Sequence, residues 1–383
     1  MDHLIDVPAG LNGVAVTTTE IGDVRGDEGF YHYRDHDATE LARSVGVEDV
    51  WYLLERGELP DAAQRAAFAS DVAVHRTVPP ALEPVVEAVA ATGAAPLAQL
   101  RSVLSASDAA LGVTPVLDVD HAERRSQARR VAAVVPAVLG ALYRRSLGQP
   151  IVAADTALGH AAAYLHAVTG SVPEPAHARA LEQYLVLTID HGFNASTFTG
   201  RVVASTGASV GDAVCAAIGA LAGPLHGGAP SRALDALDAI GEPERAADWV
   251  RGEVAAGRRI MGFGHAVYRA PDPRAALLRE VAASLGGELV ERAIAIETEI
   301  LATLAELKPG RPLPSNVEYY AGVIMETVGL PRPMFTPTFA VSRTIGWTLH
   351  AVEQAAQGKL IRPSARYVGP APRPSVRRCC VEV

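Results

Sequence analysis

Residues 119–146, VDHAERRSQARRVAAVVPAVLGALYRRS, constrain the fold more than any other stretch of the chain. Alanine, arginine and valine dominate this stretch, and Val131, Val134, Val138 and Leu142 recur at the spacing of one helix face. A long amphipathic helix is expected, kinked or broken at Pro136, because proline lacks a backbone donor and its ring crowds the preceding turn. The same period predicts helices over 152–168, 174–189, 208–222, 230–240, 243–256, 272–285 and 288–307. After Pro331, Pro333 and Pro337 another is expected over about 338–356. Pro230 suits a first helical turn, where its missing donor is no loss. Strand signals are confined to the start of the chain. There, 14–20 and 30–33 flank the polar loop IGDVRGDEG and predict a small hairpin. Strands do not alternate with helices, which disfavours a doubly wound sheet, and no internal repeat is present. The expectation is a mainly α protein with a small N-terminal β-hairpin and an irregular Pro- and Arg-rich tail after Tyr367.

With 383 residues, 49% hydrophobic and 20% charged, the chain can bury a sizeable core as one large or two moderate domains. A net charge of −9 gives no basic face for nucleic acid, although local arginines can still hold an anionic ligand. Cys215 sits in the apolar run AVCAAIGA and reads as a small core residue, while Cys379 and Cys380 adjoin near the C-terminus. No CxxC pair exists, so neither a zinc site nor a disulfide framework is expected. The first residues, MDHLIDVPAGLNG, lack the basic and apolar segments of a signal peptide. No run of about 18 or more apolar residues occurs, so no membrane span is expected. A cytoplasmic location is expected, and the sequon Asn194-Ala195-Ser196 is then idle.

Three of the twelve histidines stand in unusual company. His191 lies in TIDHGFNASTF, His226 in GPLHGGAP and His265 in MGFGHAVYRAPDPRA. Glycines beside a histidine mark backbone that turns sharply or approaches a ligand closely. Any one of them reads equally as a turn histidine beside a helix cap; all three together point to chemistry. His226 precedes a helix start, where the positive end of the helix dipole disfavours imidazolium and leaves a neutral donor. Arg274 follows Asp272-Pro273, Arg343 lies in the apolar AVSRTIGW and Arg362 in LIRPSARY. A guanidinium among apolar residues needs a partner, either a structural carboxylate or a carboxylate ligand gripped by its fork. Glu318, in PSNVEYYAGVIME, has apolar neighbours that raise its pKa toward that of a general base; a helix-dipole role is the alternative. Asn316 before it, after Pro314, looks like a helix entry.

Other motifs yield little. Gly207-Ala208-Ser209-Val210-Gly211 matches the nucleophile elbow of hydrolases, which needs a buried strand before it. Ser209 reads better as a helix N-cap in a capping box with Asp212. Gly262-Phe263-Gly264 lacks a third glycine at the dinucleotide-fingerprint spacing, and neither a P-loop nor HExxH occurs.

Taken in order, GPLHGGA, GFGHAVYRAPDPRA, NVEYYAGV, SRTIGW and RPSARYVG resemble the citrate synthase family. DHGFNASTFTGRV, GLNGVAVTTTEIGD and YHYRDHDATELA are similar to its remaining segments, so the resemblance covers nearly the whole chain. It implies an all-helical homodimer of two-domain subunits. A large domain would comprise 1–225 and 326–383, and a small domain 226–325 would carry His226, His265 and Glu318. The cleft between them would hold the active site. The resemblance also implies condensation of acetyl-CoA with oxaloacetate and water to give citrate and CoA. Glu318 stands where the family usually has aspartate, as the base for the acyl-CoA α-proton. His226 would bond the thioester oxygen, and His265 would donate to the oxaloacetate carbonyl. His191, Arg274 and Arg343 would hold oxaloacetate, with Arg362 reaching in from the partner subunit. Gly262, Phe263, Gly264 and Arg269 would bind CoA, and Asn194, Ser196 and Asn316 would support the site. No metal and no permanently bound cofactor is implied, the coenzyme A thioester being a co-substrate. The short length resembles the dimeric type. Propionyl-CoA in place of acetyl-CoA, giving 2-methylcitrate, and a non-catalytic metabolite-binding paralogue are the alternatives.

Overall fold

A computed structural model of the chain describes residues 4–224, 226, 230–264, 268 and 270–371, with backbone alone at 230–233. His265, Arg269, Cys379 and Cys380 lie outside the described residues. Among those described there are seventeen α-helices and one three-stranded antiparallel sheet in the order β1 (Gly22–Arg25), β2 (Phe30–Tyr33) and β3 (His36–Asp37).

The helix Phe335–Gln357 is the axis of the molecule. It is buried along most of its length and packs against His121–Ser146, Pro175–Thr188, Ala195–Ser205 and Val210–Leu221. A helix apolar on several faces must be enclosed by others, and here Ala340, Val341, Ile345 and Trp347 all lie in the core. Gly346 permits the closest of these approaches, because a Cβ there would sit 2.2 Å from the Ile189 carbonyl oxygen. The helix therefore lies directly against the chain that leads into His191.

Several expectations hold. Helices occupy Pro175–Thr188, Val210–Leu221, Pro230–Ile240, Pro273–Leu285 and Glu288–Leu307. Ser209 caps its helix, its Oγ accepting the Asp212 N–H at 2.9 Å while Asp212 accepts the Ser209 N–H at 3.3 Å. Cys215 is half-buried rather than fully internal, and burial pushes its thiol up to about 12.

Others are corrected. The long helix runs unbroken from His121 to Ser146 through Pro136. The bond that proline cannot make is offset by burial of Val131, Val134, Val138 and Leu142 around it. The helix expected from 152 starts at His160, because Asp155 forms a turn in which its carboxylate accepts the Ala157 N–H. The helix expected from 338 starts at Phe335; Pro337 falls in the first turn, where backbone donors have no partner to lose. The hairpin is a three-stranded sheet, and its first strand lies inside the stretch read as a loop. Residues 14–20 are not a strand, because their polar groups are taken by other elements. The Thr17 hydroxyl donates to Gln357 and the Glu20 N–H to Glu353. The short helices between 38 and 111, together with Ala195–Ser205, were not expected.

Gly346→Ala should lower stability by about 1–3 kcal/mol, since extra volume in a filled core forces backbone shifts. Thermal unfolding of parent and variant checks this, and an unchanged midpoint would mean that the helix can move off Ile189 freely.

Candidate active site

The turn that ends Pro175–Thr188 builds one wall. Tyr33 Oη donates to the carbonyls of Val186 (2.9 Å) and Asp190 (3.0 Å), tying this turn to the sheet. Asp190 accepts the Gly192 N–H at 3.1 Å, and Gly192 takes φ +66°, a conformation that favours glycine. His191 is thereby set between Tyr31 and Tyr268, with ring centroids at 5.4 and 5.5 Å, and its Nε2 lies 2.9 Å from Tyr268 Oη.

Three residues beyond His191, Asn194 caps the helix Ala195–Ser205, accepting the Thr197 N–H. Asn194 Oδ1 also lies 2.8 Å from Ser196 Oγ. The Ser196 hydroxyl is buried, accepts the Trp347 indole N–H at 3.2 Å, and lies 2.8 Å from His226 Nε2. This anchors a histidine that is 30 residues away in sequence. Burial, and then the positive charge of Arg343, hold His226 below the ordinary histidine value. The neutral ring expected from sequence thus has causes other than a helix dipole.

The opposite wall is a stitch between two segments. Gly264 N–H donates to the Pro314 carbonyl (2.7 Å) and Asn316 N–H to the Gly262 carbonyl (2.8 Å), with Phe263 bridged to Ser315 between them. The Asn316 amide donates to the Gly264 carbonyl and accepts the Glu318 N–H at 3.0 Å, capping Val317–Thr327. Asp272 caps Pro273–Leu285, and its carboxylate is gripped by Arg274 through two bonds of 2.9 Å. It also accepts the Val317 N–H at 3.2 Å, joining the two helix starts.

Glu318 lies inside this frame. Burial pushes its carboxyl up to about 7, overriding Arg274, which lowers it; Asp272 adds a smaller upward push. A cavity of about 680 Å³ opens beside it, lined by Gly262, Phe263, Gly264 and Asn316 and by the cations Arg258, Arg259, Lys308 and Arg311. Arg343 is buried, donates through Nε to the Thr188 carbonyl at 2.8 Å and stacks on Phe339. Burial lowers its pKa, and the carboxylate of Asp190 opposes that. Tyr184 lies within electrostatic reach of Arg343, Glu318 and Arg274.

His191, His226, Glu318, Arg274, Arg343, Asn194, Ser196, Asn316 and 262–264 therefore converge on one region. Arg362 lies apart, exposed on the irregular segment after Gln357, where the neighbouring Ile361 N–H donates to Ser205. Tyr268, Asp190, His350 and the four cations of the cavity were missed in the sequence. Asp272-Pro273 carried a usable signal, since a helix cap followed by proline places Arg274 within reach of the capping carboxylate. Among the described residues no group of three or more His, Cys, Asp or Glu side chains could hold a metal ion, and no helix is long and apolar enough to cross a membrane.

The family described as "Citrate synthase, C-terminal domain" matches residues 10–364. The citrate synthase of Haloferax volcanii is 36% identical over 371 residues, covering 95% of this chain and 96% of that protein. The 2-methylcitrate synthase of Mycobacterium tuberculosis is 36% identical over 369 residues, covering 96% of this chain and 92% of that protein. A solved ternary complex of citrate synthase from Thermoplasma acidophilum, with carboxymethyl coenzyme A and oxaloacetate, superposes with a TM-score of 0.85. It is 27% identical and covers 95% of this chain and 96% of that one.

If burial and Arg343 set the state of His226, its ring should titrate below the ordinary histidine range. NMR of selectively labelled histidine measures this, and a midpoint at or above that range would contradict the assignment.

Proposed function

Because the chain belongs to the citrate synthase family, we propose that it condenses acetyl-CoA with oxaloacetate and water to give citrate and free CoA. The observation that carries this reading is Glu318, a half-buried carboxyl pushed up to about 7 beside a cation-lined cavity. An α-proton of a thioester is weakly acidic. A carboxylate that titrates near neutrality is a better base than an ordinary one and still ionises at working pH. The enolate oxygen that develops needs a positioned donor, typically worth about 3 kcal/mol. His226, held by Ser196 and kept neutral by burial and Arg343, takes that role.

Arg274, Arg343 and His191 hold the two carboxylates of oxaloacetate. The cavity takes CoA, its 262–264 backbone facing the thioester arm and Arg258, Arg259, Lys308 and Arg311 offsetting the phosphate charge. His265 and Arg269, outside the described residues, keep the roles that the family resemblance implies: donor to the oxaloacetate carbonyl, and partner to the CoA phosphates. The scheme asks for no metal ion and no bound cofactor. The functional unit is a homodimer in which Arg362 completes the partner's oxaloacetate site. In each subunit the cleft lies between a large domain, 1–225 with 326–383, and a small domain, 226–325. Closure of that cleft excludes water while the enolate exists. The enzyme acts in the cytoplasm, in the tricarboxylic acid cycle.

A second reading, propionyl-CoA giving 2-methylcitrate, is favoured by the 36% identity to a 2-methylcitrate synthase, equal to that with the Haloferax volcanii enzyme. One extra methyl in an apolar pocket shifts selectivity by only about 1–3 kcal/mol. Release of CoA thiol from oxaloacetate with acetyl-CoA and, in parallel, propionyl-CoA decides between them. A higher kcat/KM with acetyl-CoA supports the main reading, and the reverse order supports the second. No thiol from either sinks both and leaves a metabolite-binding role.

Glu318→Gln should bind oxaloacetate yet exchange the acetyl-CoA α-protons at least about 100-fold more slowly than the parent. Since the base acts ionised, the parent's kcat/KM for acetyl-CoA should fall as pH drops through about 7. Exchange at the parent rate in deuterated buffer would remove Glu318 from this role.

A further inference from the structure

His350 lies two turns beyond Arg343 on the Phe335–Gln357 helix, buried between Asp190 and Arg201, which are buried as well. Its Nδ1 lies 3.1 Å from Arg201 Nη1, and its Nε2 lies 3.1 Å from Asp190 Oδ1. A guanidinium only donates, so Nδ1 accepts and the ring proton sits on Nε2, directed at Asp190. Arg201 thus sets the tautomer. Its own charge is met by Glu353, and its other donors reach Gln354, Thr17 and Thr18.

Both Asp190 oxygens are thereby occupied, Oδ1 by His350 and Oδ2 by the Gly192 N–H. Among the described residues the Asp190 carboxylate accepts from the His350 ring and not from Arg343, although it acts electrostatically on that arginine. An Asp190 free to rotate would compete with a ligand carboxylate for the Arg343 fork. Phe193, at the far end of the same turn, meets both the His350 ring (centroids 6.5 Å apart) and the Arg201 guanidinium (5.7 Å). His350 therefore braces both ends of the turn that presents His191.

We propose that His350 is a positioning residue for oxaloacetate binding: it holds the Asp190 carboxylate away from Arg343 and fixes the 190–193 turn, so that Arg343 and His191 both face the substrate. This rests on the oxaloacetate site proposed above.

The test uses the full-length enzyme and five variants: His350→Leu, His350→Gln, His350→Asn, Asp190→Asn and the double variant His350→Leu/Asp190→Asn. The Gln amide offers one acceptor and one donor at a separation close to that of the imidazole nitrogens, so it can bridge Arg201 and Asp190. We expect His350→Leu to raise KM for oxaloacetate about tenfold, with KM for acetyl-CoA within about twofold of the parent. His350→Gln should restore most of the loss. In the Asp190→Asn background His350→Leu should add less than about twofold, since two residues acting through one contact are not additive. A parent-like KM for oxaloacetate in His350→Leu overturns the positioning role, as does a uniform fall in kcat with both KM values unchanged. If His350→Leu does not fold, His350→Asn decides, because its shorter amide keeps the site polar but cannot bridge both Arg201 and Asp190: a raised KM for oxaloacetate supports the role and a parent-like one overturns it. A parent enzyme that releases no thiol overturns the functional reading itself, and the proposal with it.

Discussion

The Arg274–Asp272 pair is the contact on which the active-site frame rests. Both side chains are withdrawn from water, at 4% and 1% exposure, and burying an ion costs several kcal/mol unless its hydrogen-bonding capacity is met. Two parallel bonds of 2.9 Å between fork and carboxylate meet much of it, and the backbone N–H groups of Arg274 and Val317 supply further donors to Asp272. The Val317 bond matters most for chemistry, because Val317 opens the helix that carries Glu318. One ion pair thus holds an arginine in the candidate site and sets the start of the helix bearing Glu318. It also acts on the charge of that carboxyl. Arg274 draws Glu318 toward ionisation and burial resists, and burial prevails.

The Phe335–Gln357 helix distributes support in a similar way. Arg343, Trp347 and His350 follow one another at spacings of four and three, which places them on a common face. Trp347 bonds Ser196, which anchors His226, and His350 bonds Asp190, which shapes the turn carrying His191. Both histidines are thus held by side chains from one rigid rod. The cost of this economy is Gly346, where no side chain fits against Ile189.

Charge is also sorted. The chain carries a net charge of −9, yet Arg258, Arg259, Lys308 and Arg311 line the cavity beside Glu318. A polyanionic ligand responds to that local field rather than to the total.

What the sequence determined by itself was whatever depends on neighbours along the chain. The helical period located most of the long helices, and the Ser209–Asp212 capping box and the first-turn proline at 230 are local rules that tertiary packing left intact. The histidines in glycine-rich company and the apolar setting of Glu318 were legible as well, since composition alone marks a close turn or a desolvated carboxyl. Only the tertiary structure decided that Pro136 stays within an unbroken helix and that 14–20 serves as a strap for other elements' side chains instead of a strand. It alone decided the partnership of Ser196 with His226, the grip of His350 on Asp190 and the cations beside Glu318. The reason is common to all of these. Burial, and the field inside a closed site, are set by groups that meet across tens or hundreds of residues, and no local pattern records which groups those will be.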